Sequence, residues 1–159
     1  MTIYRQAIDS DFEKLFVIWL QGIKSTFKDV TKPDDLKEQF HSVFKERKEH
    51  EYWVAELAGE VLGFQSFLPL SKNPLKQEYM VESSTYMNKG FLNKGIGVKL
   101  LTYTLSELQK TNIQSVAAFV ISTNISVIKL AENLGFNQIG LVPAIEANPE
   151  KIIFLKKLR

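Results

Sequence analysis

Lys89-Gly90-Phe91-Leu92-Asn93-Lys94-Gly95-Ile96-Gly97-Val98-Lys99-Leu100-Leu101 is the stretch on which the fold turns. An alternating run from Tyr79 to Met87 leads into it, and an amphipathic run from Gly97 to Leu108 leads out. The pattern predicts a strand, a glycine-rich loop and a helix. Glycine lets the backbone turn tightly and approach a ligand, because no Cβ stands in the way. The first amides of a helix have no partner inside it. Together with the helix dipole they make an anion site, and phosphate is the usual anion. Two familiar phosphate loops fail the test. Gly90 and Gly95 have Walker A spacing, but Ile96 and Gly97 stand where Lys and Ser/Thr are required. The dinucleotide fingerprint needs a glycine three residues after Gly97, and Leu100 is there. The glycines alone favour a plain strand–loop–helix corner, in which they serve only the turn.

Upstream, Tyr52–Leu57 and Val61–Phe67 flank Ala58-Gly59-Glu60, the chemistry of a β-hairpin. Before that, Thr2–Ala7 alternates as a first strand. Asp9-Ser10-Asp11 opens a helix whose apolar face is Phe12, Leu15, Phe16, Trp19, Leu20 and Ile23, ending near Phe27. Pro33-Asp34-Asp35 opens a second helix, with Leu36, Phe40, Val43 and Phe44 as its stripe. A strand spans Glu78–Met87. Downstream, the helix from Gly97 packs by Leu101, Leu105 and Leu108, and Ser115–Ile121 is apolar enough for a strand covered on both faces. A further helix starts at Ser122 or Asn124, turns Val127, Ile128, Leu130 and Leu134 inward, and stops at Gly135. Phe136–Val142 and Lys151–Leu158 are the last strands. The order β-α-α-β-β-β-α-β-α-β-β predicts an α/β (α+β) fold, a mixed sheet with helices on its faces.

At 159 residues, 45% hydrophobic and 24% charged, the chain is expected to form one domain over 1–159. Twenty basic against 18 acidic residues give no electrostatic case for nucleic acid or a membrane surface. With no cysteine there is no disulfide, thiolate nucleophile or cysteine metal site, and a cytoplasmic location is expected. The histidines are His41 and His50, and two distant histidines do not make a metal site or a triad.

The chain resembles the GNAT acyl-CoA N-acyltransferases. Their loop reads Gln/Arg-x-x-Gly-x-Gly/Ala between a strand and a helix. Here Leu92-Asn93-Lys94-Gly95-Ile96-Gly97 matches the glycines, with Leu92 in place of Gln/Arg. Asn124-Ile125-Ser126-Val127-Ile128-Lys129-Leu130-Ala131-Glu132-Asn133-Leu134-Gly135-Phe136 matches their second signature, an Asn and a short helix ending Leu-Gly-Phe. Val81-Glu82-Ser83-Ser84-Thr85-Tyr86-Met87 is similar to the corresponding strand of the phosphinothricin acetyltransferase-like branch. The C-terminal segment Glu146–Lys151 is shorter than in that branch and lacks its Trp. The resemblance implies a mostly antiparallel sheet of about seven strands flanked by four helices.

It also implies an N-acetyltransferase with acetyl-CoA as cosubstrate, no metal, and a small-molecule amine as acceptor. The pyrophosphate would lie on the amides of Asn93, Lys94, Gly95, Ile96, Gly97 and Val98, beside Leu92. The pantetheine arm would run along the main chain of Thr85, Tyr86 and Met87, with Asn124 on its other side; alone, Asn124 also reads as a plain N-cap. The acceptor amine must lose a proton, for which Glu82 is the candidate base; alone, it also reads as a solvent-facing strand residue. Many relatives protonate the departing thiolate with a Tyr, or in the phosphinothricin branch a His, where this chain has Ala131. Ser126 is the weaker substitute, since a first-turn serine is usually only that. Phe27, Phe67 and Tyr79 are implied as acceptor-lining residues, with core the default for such aromatics. Alternatives are acetylation of a protein or peptide amine, and a coenzyme A-binding module of weak activity. A homodimer, common among relatives, is one expected assembly.

Overall fold

The computed structural model describes residues 1–26, 33–75 and 79–159. Among them are seven strands: β1 (Ile3–Gln6), β2 (Tyr52–Leu57), β3 (Glu60–Pro69), β4 (Met80–Met87), β5 (Ser115–Ile121), β6 (Asn137–Val142) and β7 (Lys151–Lys157). The helices are α1 (Phe12–Thr26), α2 (Pro33–Lys45), α3 (Ile96–Leu108) and α4 (Ile125–Asn133). The sheet order is β1-β2-β3-β4-β5-β7-β6. The pairs β1–β2, β2–β3, β5–β7 and β6–β7 are antiparallel and β4–β5 is parallel. The mixed sheet expected from the element order is found, and it is mostly antiparallel as the resemblance implies. The chain divides into two compact units, Met1–Ser66 with Thr85–Leu105, and Phe67–Ser84 with Ser106–Arg159.

In the first unit the hairpin closes through Ala58 and Gly59 alone, since Leu57 pairs with Glu60. Both turn residues have positive φ, +50° and +82°, as a two-residue turn matched to strand twist requires. The helices are held by aromatic rings. Phe12 and Phe16 of α1 meet Phe40 of α2 at 5.9 and 6.0 Å, and Phe40 reaches Tyr52 on β2 and Phe64 on β3 at 6.3 and 6.2 Å. At such separations aromatic pairs add roughly 0.5–1.5 kcal/mol each beyond their burial. Ile18, absent from the expected α1 face, is fully buried, whereas Val43 is exposed. A two-turn stripe cannot separate a true face from its flank. The start of α1 is fastened by Asp11, whose carboxylate accepts from the Ile8 amide at 2.8 Å and from the Arg5 guanidinium at 2.8 and 3.0 Å. Arg5 also binds Glu56 of β2 at 2.7 Å.

In the second unit β5 is the middle strand. It pairs with β4 from Met80↔Ser115 to Glu82↔Ala117, and with β7 along its whole length. Gly135, at φ +85°, ends α4, and Lys156 donates to the carbonyl of Leu134 at 2.8 Å. The inward face of α4 differs from expectation. Val127 is exposed and Ala131 is buried.

The α3 face shifts by one residue. Leu100, Thr104, Leu105 and Leu108 are buried, while Leu101 is only half-buried. Thr104 hides its polarity by donating to the Leu100 carbonyl at 2.9 Å, which is why the sequence stripe overlooked it.

Candidate active site

The loop between β4 and α3 is built in three steps. Asn88 extends β4's hold on β3 by donating its amide to Leu62 O at 2.8 Å. Its side-chain oxygen accepts from Gly90 N at 3.1 Å, and its carbonyl accepts from Phe91 N at 2.8 Å, which winds a 3-10 turn over Lys89–Phe91. Gln21 of α1 pins that turn by accepting from Lys89 N at 3.1 Å. Asn93 and Gly95 then take positive φ, +59° and +76°. Asn is among the side chains that best tolerate this region, and no heavy atom would crowd a Cβ at Gly95. Within the protein, glycine at 95 thus answers to backbone conformation and not to crowding.

The first bond of α3 runs from Lys99 N to Gly95 O at 3.2 Å. The amides of Ile96, Gly97 and Val98 therefore have no acceptor within the helix. Lys94 is exposed, its ammonium 5.6 Å from the Phe91 ring, and Leu92 is half exposed. The loop offers an anion main-chain donors and two exposed lysines, Lys89 and Lys94.

The end of β4 that enters this loop is fixed on both faces. Thr85 donates its hydroxyl to Oε1 of Gln65, a fully buried residue of β3 whose Nε2 donates to Ser66 O at 2.9 Å. Tyr86 stacks on Phe64, ring centres 5.1 Å apart, and lies so close to α1 that a Cβ on Gly22 would be 2.9 Å from its Cδ1. Gln65, Asn88 and Gln21 escaped the sequence analysis. A glutamine inside the apolar run Val61–Phe67 was the one visible signal, since a polar group buried there needs a partner.

The remaining candidates lie in the second unit. Glu82 on β4 is half-buried, and that desolvation pushes its carboxyl above the ordinary glutamate value, against a smaller downward pull from Lys151. Asn124 caps α4: its Oδ1 accepts from Val127 N at 3.4 Å and from the Ser126 hydroxyl at 3.1 Å, and both side chains are exposed. Tyr79 is partly exposed, whereas Phe67 is fully buried and offers an acceptor no surface. Phe27 lies outside the described residues. Among those residues no three His, Asp or Glu side chains gather as a metal ion would need, and no helix is long and apolar enough to cross a membrane.

Comparison with known proteins bears on what such a strand–turn–helix serves. Residues 16–136 match the family described as acetyltransferase (GNAT). A candidate phosphinothricin N-acetyltransferase of known structure is 25% identical, with 100% of this chain and 99% of that one covered and a TM-score of 0.84. The candidate acetyltransferase yncA from Salmonella typhimurium, solved with its cofactor acetyl-CoA, is 20% identical over 100% and 95% of the two chains, TM-score 0.83. The GNAT superfamily phosphinothricin acetyltransferase from Sinorhizobium meliloti, in complex with acetyl-CoA, is 18% identical over 98% and 88%, TM-score 0.78. At their identities the last two speak to fold.

Proposed function

The chain belongs to the acetyltransferase (GNAT) family, and from that premise we propose that it transfers the acetyl group of acetyl-CoA to a primary amine of a small molecule or amino acid, acting as one domain over 1–159. An acceptor resembling phosphinothricin or methionine sulfoximine is the first to try. The observation that carries the reading is the start of α3, where Asn93 and Gly95 turn the chain so that the amides of Ile96, Gly97 and Val98 stand open. A pyrophosphate is the anion such a cradle suits.

In this mechanism the pyrophosphate rests on the amides of residues 93–98, and Lys94 adds charge. Leu92 contributes no donor, so the main chain carries the contact. The thioester arm follows the main chain of Thr85, Tyr86 and Met87, where an amide stabilises the oxyanion that forms on attack. The amine nitrogen adds to the thioester carbon, the C–N bond forms, and the C–S bond breaks with its electron pair going to sulfur. No enzyme-bound acyl group is needed, and no cysteine exists to carry one.

An alkyl amine of pKa ~10.4 is neutral only about once in 2,500 molecules at pH 7. Glu82 is the proposed base, directly or through water, and its desolvated carboxyl has the raised proton affinity that the task requires. The thiolate of coenzyme A, with a thiol pKa near ~8.5, leaves with little help. The proton released by the amine can reach it, and Ser126, whose hydroxyl already serves Asn124, is the lesser donor. Buried Ala131 supplies no acid, and this favours one second reading, a module that binds coenzyme A and turns over slowly.

The test is a thermal melt with and without acetyl-CoA, followed by thiol release against an amine panel. Ligand at ~100 times its dissociation constant adds about 2.7 kcal/mol to the native state. The expected outcome is a rise in melting temperature together with thiol release on at least one amine. A rise without release selects the binding module, and no rise removes the reading altogether.

A further inference from the structure

Met87 ends β4, and its side chain runs between two glycines on different elements. A Cβ built on Gly63 of β3 would stand 2.3 Å from Met87 Sδ and 2.7 Å from its Cε. A Cβ built on Gly97, in the first turn of α3, would stand 3.3 Å from Met87 Cγ and 3.5 Å from Sδ. The thioether therefore lies against bare backbone at both ends. Methionine ordinarily adapts, because three torsions and a polarisable sulfur let it fill irregular space. Here its room on two sides exists because both neighbours lack a Cβ, and a side chain at either glycine would have to displace the thioether.

We propose that Met87 is a positioning residue for the donor site, a strut that sets the distance between β4 and the first-turn amides of α3, and that Gly97 is glycine because of Met87 beneath it. This rests on the acetyl-CoA reading above. It makes a distinct claim about Gly97. Its φ lies outside the left-handed region, unlike that of Gly95, so backbone conformation does not require glycine there. Two causes remain: a ligand lying over the turn, or a side chain lying under it. The ligand cause predicts that any Cβ at 97 harms binding whatever stands at 87. The strut cause predicts that the harm disappears when Met87 is shortened, because the next neighbour, Thr85 Cγ2, lies at an ordinary 3.6 Å.

The experiment is a double-mutant cycle with Gly97→Ala, Met87→Ala and the pair. Dissociation constants for coenzyme A come from calorimetry, and KM for acetyl-CoA and for the acceptor from steady-state kinetics. Each single change is expected to weaken coenzyme A binding by about threefold or more, the scale of coupling between residues in contact. KM for acetyl-CoA should rise with it while KM for the acceptor holds. In the pair, the methyl group added at position 97 takes the space that Met87 Cγ leaves, and affinity should return to within about twofold of wild type, well short of the product of the single effects. Additive losses, or a pair worse than either single variant, overturn the strut and assign Gly97 to the ligand. Single variants that bind as wild type does overturn it equally. Wild-type protein that binds no coenzyme A sinks the function itself, and the strut with it. Melting temperatures without ligand identify a variant that merely unfolds, and the cycle is then read at a temperature well below the lowest melting point, where all four proteins are folded.

Discussion

Glu82 occupies a half-buried place on a strand whose preceding residue, Val81, is wholly buried. Desolvation raises its carboxyl above the ordinary glutamate value, so the folded protein holds that proton more tightly than the unfolded chain does. As pH rises from the unfolded value through the folded one, stability falls, because the charged form is the one that burial penalises. Function runs the opposite way, since only the deprotonated carboxylate can accept a proton. Glu82→Gln should therefore lower kcat by about 100-fold or more, leave coenzyme A affinity in place, and raise the melting temperature at pH 8. Unchanged kcat in the variant would remove Glu82 from the mechanism. The sequence showed a glutamate in a strand of apolar residues and small hydroxyls but could not distinguish an outward residue from a half-buried one, because that depends on β5, which pairs Ala117 with it from far along the chain. Gln65 and Thr85 illustrate the same limit: their hydrogen bond spans 20 residues, and neither carries a motif.

At the scale of elements, local chemistry was almost fully legible. The two-residue turn at Ala58-Gly59, the helix starts at Phe12 and Pro33, and the stop at Gly135 follow from residues within a few positions of each boundary. Helix faces were less so: Val127 is exposed, Leu101 is only half-buried, and Ala131, given no place on the expected face, is buried. The junction of β1, β2 and α1 was not foreseen at all. Asp11 is buried there, and burial by itself would raise its carboxyl; the Arg5 guanidinium and the Ile8 amide outweigh that and hold it below the ordinary aspartate value. A depressed carboxyl contributes stability above its unfolded value and loses it as pH falls through the folded one. Asp11→Asn should accordingly cost about 2 kcal/mol at pH 7. The cost should shrink as pH falls below about 4, where the unfolded chain's aspartate takes up a proton that the folded carboxyl still resists. Urea unfolding at pH 7 and pH 3 measures both; an equal cost at the two pH values would mean that the ion pair is not what Asp11 contributes.

For the whole molecule, the mixed sheet and helix count came from the succession of patterns, and the glycine loop from three glycines between a strand and a helix. What the sequence did not carry was the division of the chain into two compact units, each assembled from segments far apart in sequence. That division has an optical consequence. The protein has two tryptophans, Trp19 and Trp53, and both lie in the unit formed by Met1–Ser66 and Thr85–Leu105. Trp53 sits 6.0 Å from the Tyr103 ring on α3, and Trp19 sits 5.1 Å from Phe40. Indole fluorescence therefore watches one unit only, while far-ultraviolet circular dichroism sums over every helix and strand. Superimposed denaturation curves are the expected result for a chain that unfolds in one step; emission that changes first or last would expose a partly unfolded form. The natural chain is already a labelled protein, with its dye confined to the half that holds the glycine loop.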